Sequence, residues 1–397
     1  MRGQAGDLHR VWAEINLDHL AHNLRLTRSL LPDSTNIMAV VKANAYGHGD
    51  RVIASRLAEW GVGHFAVSTV EEAVSLRRCG IRQPILILGA SPPGAFPLLA
   101  EHGITQTVHS SPYAERLNDF AVRQRCVIPV HLKIDTGMNR IGFPHDDIRS
   151  VQAVFRMKGL QVGGTFTHLA AADLLAPKHV RYTRMQTARF EATLRRLKGW
   201  PVGMVHALSS AGIVNGVDAA YDAVRPGLML FGLYSGEASR QLDLKPVMQL
   251  KARIAMVKKV RRGEAIGYGQ RFVAPREMVV ATIQAGYGDG YPRSLSGRAE
   301  ILIRGQPARQ IGLICMDQMM ADVTEIDDVR EGDAALLFGE DRGRSLPLSR
   351  LSAWAGTIDN ELVAGVAARV PRVYAEHAIM GPTKSVYESE EACLQRS

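Results

Sequence analysis

Two hydrophobic periods alternate along the first part of the chain. Short apolar runs typical of buried strands are separated by stretches whose apolar residues recur at helical spacing. The predicted strands are Ile37–Lys42, His64–Ser68, Pro84–Gly89, Ile104–Val108, Ile128–Asp135, Leu160–His168, Met204–Ser209 and Asp222–Pro226. The predicted helices are one capped by Asn16 with apolar positions Leu17, Leu20, Leu24 and Leu31, then Asp50–Trp60, Val70–Arg78, Gly94–His102, Pro112–Gln124, His145–Met157 and Lys178–Lys198, with a short link near residues 210–217.

Strands that alternate with helices in this way predict a (β/α)8 barrel, which ends near Tyr234. After Asp243 the pattern favours a mostly β second domain. Its short runs are Lys251–Val260, Met278–Gln284, Ala299–Ile303 and Ala334–Phe338, with a hairpin turn at Gly305-Gln306 and a helical pattern at Ser352–Ala368. We therefore predict a barrel domain over residues 12–243, a β-rich domain over 244–384 and a disordered polar tail over 385–397.

Composition excludes several classes of protein. Hydrophobic content of 46% and charged content of 22% are ordinary for a globular chain of 397 residues. The net charge of +9 is scattered and no basic run interleaves with aromatic residues, so it indicates a contribution to solubility or the attraction of anions, and not nucleic-acid binding. The four cysteines have no metal-ligand spacing and suit a reducing compartment. Residues 1–14 lack an apolar core and no stretch approaches a membrane span, so we expect a cytoplasmic protein without a resident metal.

Candidate chemistry gathers where the predicted barrel strands end, because barrel active sites form at the C-terminal ends of the strands. The residues placed there are Lys42 on the first strand, Lys133 and Asp135 on the fifth, His168 on the sixth, Ser209 and Ser210 on the seventh and Arg225 on the eighth. A lysine, a histidine, a serine pair and an arginine on one rim suit an anionic ligand with an aromatic ring.

Each of these residues also has a simpler interpretation. Desolvation at the end of a buried strand lowers a lysine's pKa and prepares its amine to attack an aldehyde, but a lysine there can also extend to solvent. His168 alone is typical of a core histidine, and Ser209-Ser210 of a helix cap as well as of a phosphate site. Arg225 is followed by Pro-Gly, as in an ordinary turn.

Longer motifs favour the functional interpretation. The run Val-Val-Lys-Ala-Asn-Ala-Tyr-Gly-His-Gly at residues 40–49 resembles the pyridoxal-phosphate lysine motif of bacterial alanine racemases, and Lys-Ile-Asp-Thr-Gly-Met-Asn-Arg-Ile-Gly at 133–142 resembles that family's second signature. The order of the motifs is kept from Trp12 to Tyr374. The resemblance implies that Lys42 holds pyridoxal 5'-phosphate as an internal aldimine.

The resemblance assigns further residues around the cofactor and the substrate. It implies that Arg140 contacts the phenolic oxygen of the cofactor and the substrate carboxylate, and that Lys133 orients Arg140 when carbamylated. It implies that Arg225 faces the pyridine nitrogen, with His168 helping to order that part of the site. The implied phosphate contacts are Tyr46, Ser210, the backbone at Gly227 and Leu228, and Tyr374. Ser209 stands where many members have asparagine.

An arginine at the pyridine nitrogen has a chemical consequence. A guanidinium does not give its proton to a pyridine, so the ring stays a weak electron sink. Rapid return of a proton to the α-carbon is then favoured over transamination, as racemisation requires.

Racemisation also requires a proton acceptor on each face of the α-carbon. Lys42 serves one face, and Tyr268, within Ala265-Ile266-Gly267-Tyr268-Gly269, matches the family's tyrosine for the other. A phenol is a poor base at neutral pH unless nearby cations lower its pKa, and His168 and Arg225 are candidates for doing so. By the same match Tyr287 lines the substrate entrance and Met316 and Asp317 border the substrate carboxylate. The resemblance further implies a homodimer with active sites shared between subunits.

The expected function is therefore an alanine racemase that supplies D-alanine for peptidoglycan. A broad-specificity amino-acid racemase of the same fold is the alternative, and the residues near Tyr287 and Met316 would set the size of its pocket. A decarboxylase on a related barrel would lack the Tyr268 segment and carry a cysteine motif that is not evident here. A pyridoxal-phosphate carrier would resemble the barrel alone, whereas more than a hundred residues follow Asp243.

Overall fold

The computed structural model describes residues 9–234, 236–238 and 240–376. The strands are β1 (Val11–Asn16), β2 (Asn36–Val40), β3 (His64–Val67), β4 (Ile85–Ile87), β5 (Thr105–Val108), β6 (Ile128–Asp135), β7 (Phe143–Pro144), β8 (Leu160–Phe166), β9 (Met204–Ser209), β10 (Ala223–Arg225), β11 (Met248–Val260), β12 (Ala265–Ile266), β13 (Phe272–Val273), β14 (Met278–Ile283), β15 (Glu300–Ile303), β16 (Gln306–Ile311), β17 (Met319–Asp322), β18 (Ala334–Asp341), β19 (Arg344–Leu346) and β20 (Arg372–Ala375). The helices are α1 (Leu17–Ser29), α2 (Lys42–Tyr46), α3 (Asp50–Glu59), α4 (Val70–Arg78), α5 (Phe96–Glu101), α6 (Ser111–Arg123), α7 (Ile148–Val154), α8 (Pro177–Arg196), α9 (Ser210–Val214), α10 (Leu348–Ala355) and α11 (Asp359–Ala364).

The described chain forms two compact units, each built from more than one stretch of the sequence. The barrel unit contains residues 21–45 and 50–244. The β-rich unit contains residues 9–20, 46–49 and 245–376. A stretch near the N-terminus and a short segment just after Lys42 therefore belong with the C-terminal part of the chain.

The barrel unit is a closed ring of parallel strands, as the sequence predicts. The order is β5-β4-β3-β2-β10-β9-β8-β6, and pairing of β5 with β6 closes the ring. Helices follow most of these strands in sequence, and most residues of the strands are buried. The C-terminal ends of all eight strands consequently lie on one rim.

A bulge in the barrel wall makes room for a buried histidine. Pairing between β6 and β8 shifts by one residue, so that Val130 pairs with Val162 but His131 pairs with Gly164, leaving Gly163 as the extra residue. A Cβ atom at Gly164 would lie 2.6 Å from the His131 ring, whereas one at Gly163 would meet it at an ordinary 3.7 Å. The His131 ring therefore occupies the space that a side chain at position 164 would need.

The β-rich unit is built on a ring of antiparallel strands. Its order is β18-β15-β16-β17-β14-β11, closed because the long strand β11 pairs with both β14 and β18. Strand β1 pairs antiparallel with the first part of β11, residues 248–252, and parallel with β20. The prediction of a mostly β second domain is confirmed, but β1 and β20 did not emerge from the sequence pattern.

Several predicted boundaries need correction. The Asn16 side chain does cap α1, accepting from the His19 N–H at 3.0 Å, but the helix ends at Ser29 and leaves Leu31 outside it. The helical pattern at Ser352–Ala368 is two helices, α10 and α11, because Gly356 ends the first in the left-handed region at φ 73°.

The hairpin between β15 and β16 turns one residue earlier than predicted. Arg304 and Gly305 both have positive φ, as a two-residue hairpin turn demands, so Gln306 already belongs to β16. The predicted tail over 385–397 and the end of the β-rich domain at 384 lie outside the described residues. Within the described ranges, no helix combines the length and apolarity needed to cross a bilayer.

The space beside His131 gives a test of the barrel. Gly164→Ala should destabilise the protein by about 1–3 kcal/mol, because the new methyl group overlaps the His131 ring and forces it from its place. Gly163→Ala is the matched control and should be close to neutral, since its Cβ makes an ordinary contact. Urea unfolding followed by circular dichroism measures both midpoints. Equal midpoints for the two variants would contradict the assignment of this space to His131.

Candidate active site

Lys42 follows β2 at the rim of the barrel. Burial is the main cause that lowers the pKa of its amine, and the charge of Arg140 lowers it further, whereas Glu72 raises it. The net direction is downward, so more of the amine is neutral near pH 7 than in an ordinary lysine. This agrees with the behaviour expected of a lysine at the end of a buried strand.

The backbone after Lys42 takes an unusual path. Ala43, Asn44, Ala45 and Tyr46 all lie in the left-handed region, with φ between 51° and 54°. Each such residue costs an L-amino acid roughly 1–2 kcal/mol, so the surrounding structure must hold the turn in place. Three hydrogen bonds do so: Ala45 N–H to Val41 O at 2.9 Å, Asp50 N–H to the Asn44 side chain at 2.8 Å, and Ala43 N–H to the Glu72 carboxylate at 2.7 Å.

The segment 46–49 that follows is packed within the β-rich unit. Tyr374 donates its hydroxyl to the His48 carbonyl at 3.2 Å, and Arg372 donates to the Gly47 carbonyl at 2.9 Å. A Cβ at Gly49, where φ is 94°, would lie 1.8 Å from the Tyr374 hydroxyl, so glycine is required there. Burial raises the pKa of Tyr46 to about 12, which keeps its phenol protonated as a hydrogen-bond donor.

Arg225 is a buried cation at the end of β10. Its side chain donates to the Thr167 and Ala207 carbonyls, both at 2.8 Å, to His206 Nδ1 at 2.6 Å and towards His168 Nδ1 at 3.3 Å. Burial lowers the pKa of the guanidinium to about 9, which still leaves it protonated at neutral pH. The described residues supply no carboxylate to balance this charge.

Hydrogen bonding to Arg225 fixes the protons on a chain of histidines. Because a guanidinium only donates, His206 must accept at Nδ1 and carry its proton on Nε2. That proton is donated to His131 Nδ1, 2.9 Å away. The pKa of His131 is lowered to about 4, chiefly by burial and also by the charges of His64 and Arg225. Burial and Arg225 likewise hold the pKa of His206 well below its usual range. Both rings are therefore neutral.

His168 is neutral for the same reason. Burial is the largest cause that holds its pKa well below the ordinary value, followed by the charges of Arg225, Lys133, Arg140 and Lys42. The structure thus brings Lys42, Lys133, Arg140 and Arg225 close enough to His168 for their charges to act on it.

Lys133 is a buried member of this cluster and lies on β6. Its pKa is lowered to about 7, chiefly by burial and also by the charges of Arg225 and Arg140, whereas Asp135 raises it. Its amine is 5.3 Å from the centre of the Phe166 ring, whose centre is also 5.2 Å from the Arg225 guanidinium carbon. Lys133 is therefore much more readily deprotonated near pH 7 than an ordinary lysine.

Arg140 is placed by a loop folded against the end of β6. The Asp135 carboxylate accepts the N–H groups of Gly137 at 2.9 Å and Asn139 at 3.1 Å. A Cβ at Gly142 would lie 2.7 Å from the Asp135 nitrogen, so the chain returns closely to the strand after Arg140. The loop therefore presents Arg140 at the rim with its side chain exposed.

Ser210 is buried next to the turn that follows Arg225. Its hydroxyl oxygen accepts the N–H groups of Gly227 at 2.9 Å and Met229 at 3.3 Å. A serine that accepts twice still has its own proton to donate. Ser210, Gly227 and Leu228 are thus neighbours, as the motif match requires, while Ser209 is half-buried at the end of β9.

The remaining predicted residues lie in the β-rich unit. Tyr268, Tyr287 and Met316 are large side chains with 72%, 42% and 53% of their surface exposed. Tyr287 N–H donates to the Cys315 carbonyl at 3.0 Å and Gly288 N–H to the Met316 carbonyl at 2.8 Å, so the two loops that carry Tyr287 and Met316 are joined.

Asp289 secures these two loops. It is fully buried and accepts from Arg10, from Arg369 at 2.8 Å and from the Gly286 N–H at 3.0 Å. Arg369 also pairs with Asp317 at 2.6 Å. One buried carboxylate thus connects the predicted substrate residues of both loops.

Sequence reasoning missed His131, His206, Glu72 and Asp289. The two histidines had a visible signal, since each stands inside a predicted barrel strand, where an imidazole needs a partner. Asp289 lies within the quoted Gly-Tyr-Gly-Asp-Gly-Tyr motif, but its partners Arg10 and Arg369 are about 280 and 80 residues away in sequence. Glu72 reads as an ordinary helix cap, and its link to Ala43 is visible only in the structure.

Comparison with known proteins identifies the family. Residues 15–235 match the model described as alanine racemase, N-terminal domain, and residues 247–374 match alanine racemase, C-terminal domain. The alanine racemase of Desulforamulus reducens is 42% identical, over 92% of this chain and 98% of its own.

Solved structures agree with this result. The alanine racemase of Clostridium difficile 630 superposes with a TM-score of 0.86 at 34% identity, covering 92% of this chain and 96% of its own. The alanine racemase of Bartonella henselae, solved with covalently bound pyridoxal phosphate, gives a TM-score of 0.81 at 28% identity and covers 92% of this chain and 99% of its own. Since both domain models match in order and full-length relatives share the fold, the chain belongs to the alanine racemase family.

Proposed function

We propose that this protein interconverts L-alanine and D-alanine with pyridoxal 5'-phosphate as its cofactor. The observation that carries the proposal is the cluster on the barrel rim, where a lysine amine of lowered pKa lies among Arg140, Arg225 and a neutral His168. A neutral amine reacts with an aldehyde, and the surrounding cations attract the carboxylate of an amino acid and the phosphate of the cofactor.

The residues present fit this cofactor. Lys42 would hold it covalently, and Ser210 would donate to its phosphate together with the backbone at Gly227 and Leu228. The motif match adds Tyr46 and Tyr374 to the proposed phosphate contacts. Arg225 would lie at the ring nitrogen with His168 helping to order that region, and its buried charge, balanced by no described carboxylate, suits a partner that only accepts a hydrogen bond.

Proton transfer is assigned to two residues. When bound, pyridoxal phosphate draws electrons from the α-carbon of an amino acid and makes its proton removable. Lys42 moves that proton on one face and Tyr268 on the other, while Arg140 holds the substrate carboxylate with two parallel hydrogen bonds. Arg225 retains its own proton, because its pKa of about 9 remains well above that of a pyridine.

We further propose a homodimer in which the β-rich domain completes the active site of the partner subunit. The support is the exposure of Tyr268, Tyr287 and Met316, since exposed large side chains grouped in one unit indicate a contact surface. Asp317, fixed by Arg369, would border the substrate carboxylate beside Met316. Along the sequence we take the domains as residues 12–243 and 244–384, with residues 12–20 and 46–49 of the first range packed in the β-rich unit.

Lys133 is proposed to be carbamylated. A buried lysine amine with a pKa of about 7 is partly neutral and can add carbon dioxide, releasing a proton and leaving an anionic carbamate. That anion would pair with Arg140 and relieve the repulsion between the buried cations. Location in the cytoplasm and supply of D-alanine for peptidoglycan complete the proposal.

The assignment is tested by incubating the protein with pyridoxal phosphate and L-alanine, with L-serine and L-lysine in parallel, and separating the products by chiral chromatography. D-alanine should form fastest, and Lys42→Ala should abolish its formation, whereas Lys178→Ala, which removes an exposed lysine, should not. Comparable conversion of L-lysine would indicate a broad-specificity racemase. Absence of any D-product would leave a carrier protein.

The two bases are distinguished by exchange of the α-proton in deuterated water. Tyr268→Phe should slow exchange from L-alanine at least about a hundredfold, a typical contribution of a general base. Exchange from D-alanine, which uses Lys42, should continue and serves as the internal control. Proton NMR of each enantiomer gives both rates. Equal, small losses for the two enantiomers would overturn the assignment of Tyr268.

Carbamylation is tested with bicarbonate labelled with ¹³C. A carbamate resonance should appear in the wild-type protein and be absent from Lys133→Gln, because an amide cannot add carbon dioxide. Lys158→Gln, at another lysine of the barrel unit, controls for labelling of exposed amines. A resonance that survives in Lys133→Gln would place the modification elsewhere.

A further inference from the structure

Glu72 binds two separate parts of the barrel unit with one carboxylate. Its Oε2 accepts the N–H groups of Ser68 at 2.7 Å and Thr69 at 3.2 Å, and Thr69 in return accepts the Glu72 N–H at 3.3 Å. This reciprocal pair is the capping box that begins α4. A capping box needs only one carboxylate oxygen. The other, Oε1, accepts the Ala43 N–H at 2.7 Å.

The Ala43 N–H belongs to the peptide bond that joins Lys42 to the left-handed turn. Four successive non-glycine residues hold positive φ there, a conformation that their own side chains oppose. The bond from Glu72 therefore acts at the point where the chain leaves the Lys42 backbone and enters the turn. It also ties that point to the ends of β3 and α4, which are rigid parts of the barrel.

We propose that Glu72 is a positioning residue for Lys42, holding the peptide that follows the lysine and so fixing where its amine is presented. This inference rests on the proposed role of Lys42 in cofactor binding. The hydrogen-bonding pattern requires a carboxylate and not merely a polar side chain, because both oxygens accept from N–H donors. A glutamine would turn its NH₂ group towards one of those donors.

The charge of the same carboxylate acts on the lysine amine. Glu72 raises the pKa of Lys42, whereas burial and Arg140 lower it. Among the described residues, Glu72 and Arg140 are the charged groups that shift the pKa of the amine, and they do so in opposite directions. Removal of Glu72 should therefore shift the titration of Lys42 to lower pH, and removal of Arg140 should shift it to higher pH.

The chain offers a matched control for the helix cap. Thr69→Ala breaks the same capping box as Glu72→Gln but leaves the bond from Glu72 to Ala43 in place. Glu71→Gln removes a neighbouring exposed carboxylate. Comparable loss of thermal stability in Thr69→Ala and Glu72→Gln would show that the two variants damage the cap to the same extent.

The first measurement is hydrogen–deuterium exchange in the full chain after removal of cofactor, read by mass spectrometry. The peptide that covers residues 42–49 should exchange about tenfold faster or more in Glu72→Gln and Glu72→Ala, because a charge-assisted hydrogen bond is lost. Thr69→Ala should raise exchange only at the start of α4. This readout does not depend on racemase activity.

The second measurement is the pH dependence of covalent pyridoxal phosphate capture, fixed with borohydride and located at Lys42 by peptide mass. The midpoint should move to lower pH in Glu72→Gln, to higher pH in Arg140→Gln, and stay in place in Thr69→Ala and Glu71→Gln. Matching behaviour of Glu72→Gln and Thr69→Ala in both measurements would overturn the proposal and leave Glu72 as a helix cap. Failure of the wild-type protein to capture the cofactor would instead overturn the proposed function, and exchange at residues 42–49 would still decide whether Glu72 holds the turn.

Discussion

Arg225 carries a full positive charge into the interior of the barrel, and the described residues around it offer carbonyl oxygens and imidazole nitrogens in place of a carboxylate. A guanidinium in such a place raises the cost of every other cation nearby. It contributes to the lowered pKa of Lys133, His131, His168 and His206. Burial is the largest cause in each of these four groups, and the charge of Arg225 adds to it, so an anionic ligand would reduce the repulsion among the rim cations.

The same charge orders the histidines without any acid to direct them. In many sites a carboxylate accepts a hydrogen bond from one imidazole nitrogen and so keeps the proton there. Here the Arg225 guanidinium donates to one nitrogen of His206 and so keeps the proton on the other. Arg225 forces His206 to accept, His206 then donates to His131, and Gly164 leaves the space in which His131 can receive that bond. The absence of a side chain at Gly164 is thus linked, through the rings of His131 and His206, to the orientation of the Arg225 guanidinium.

Much of the barrel and its rim could be predicted because the signals are local. Apolar runs alternate with helical periods, and parallel strands place their last residues on one edge, so Lys42, Lys133, His168 and Arg225 were expected together before the structure was known. The features that could not be predicted depend mostly on contacts between residues that are distant in sequence. Strand β1 is defined by its pairing with β11 and β20, which lie far away in sequence. Asp289 forms ion pairs with Arg10 and Arg369, which lie near opposite ends of the described chain. Gly356 ends a helix within a sequence pattern that looks like one continuous helix. The hydrogen bond from the Ala43 N–H to the Oε1 atom of Glu72 could not be predicted either, since Ala43 lies 29 residues earlier in the sequence.

The pairing of β1 means that the sheet of the β-rich unit can assemble only late during synthesis of the chain. Residues 11–16 leave the ribosome before the strands of the barrel, yet their neighbours in the sheet are residues 248–252 and 372–375. At translation speeds of about 5–20 residues per second, roughly ten to fifty seconds pass before the first of these partners has been made. All the strands of the barrel emerge during that interval and can close on one another. The six residues of β1 must meanwhile remain unpaired, with apolar side chains that are buried in the finished unit, and are joined to their sheet only after the barrel sequence is complete.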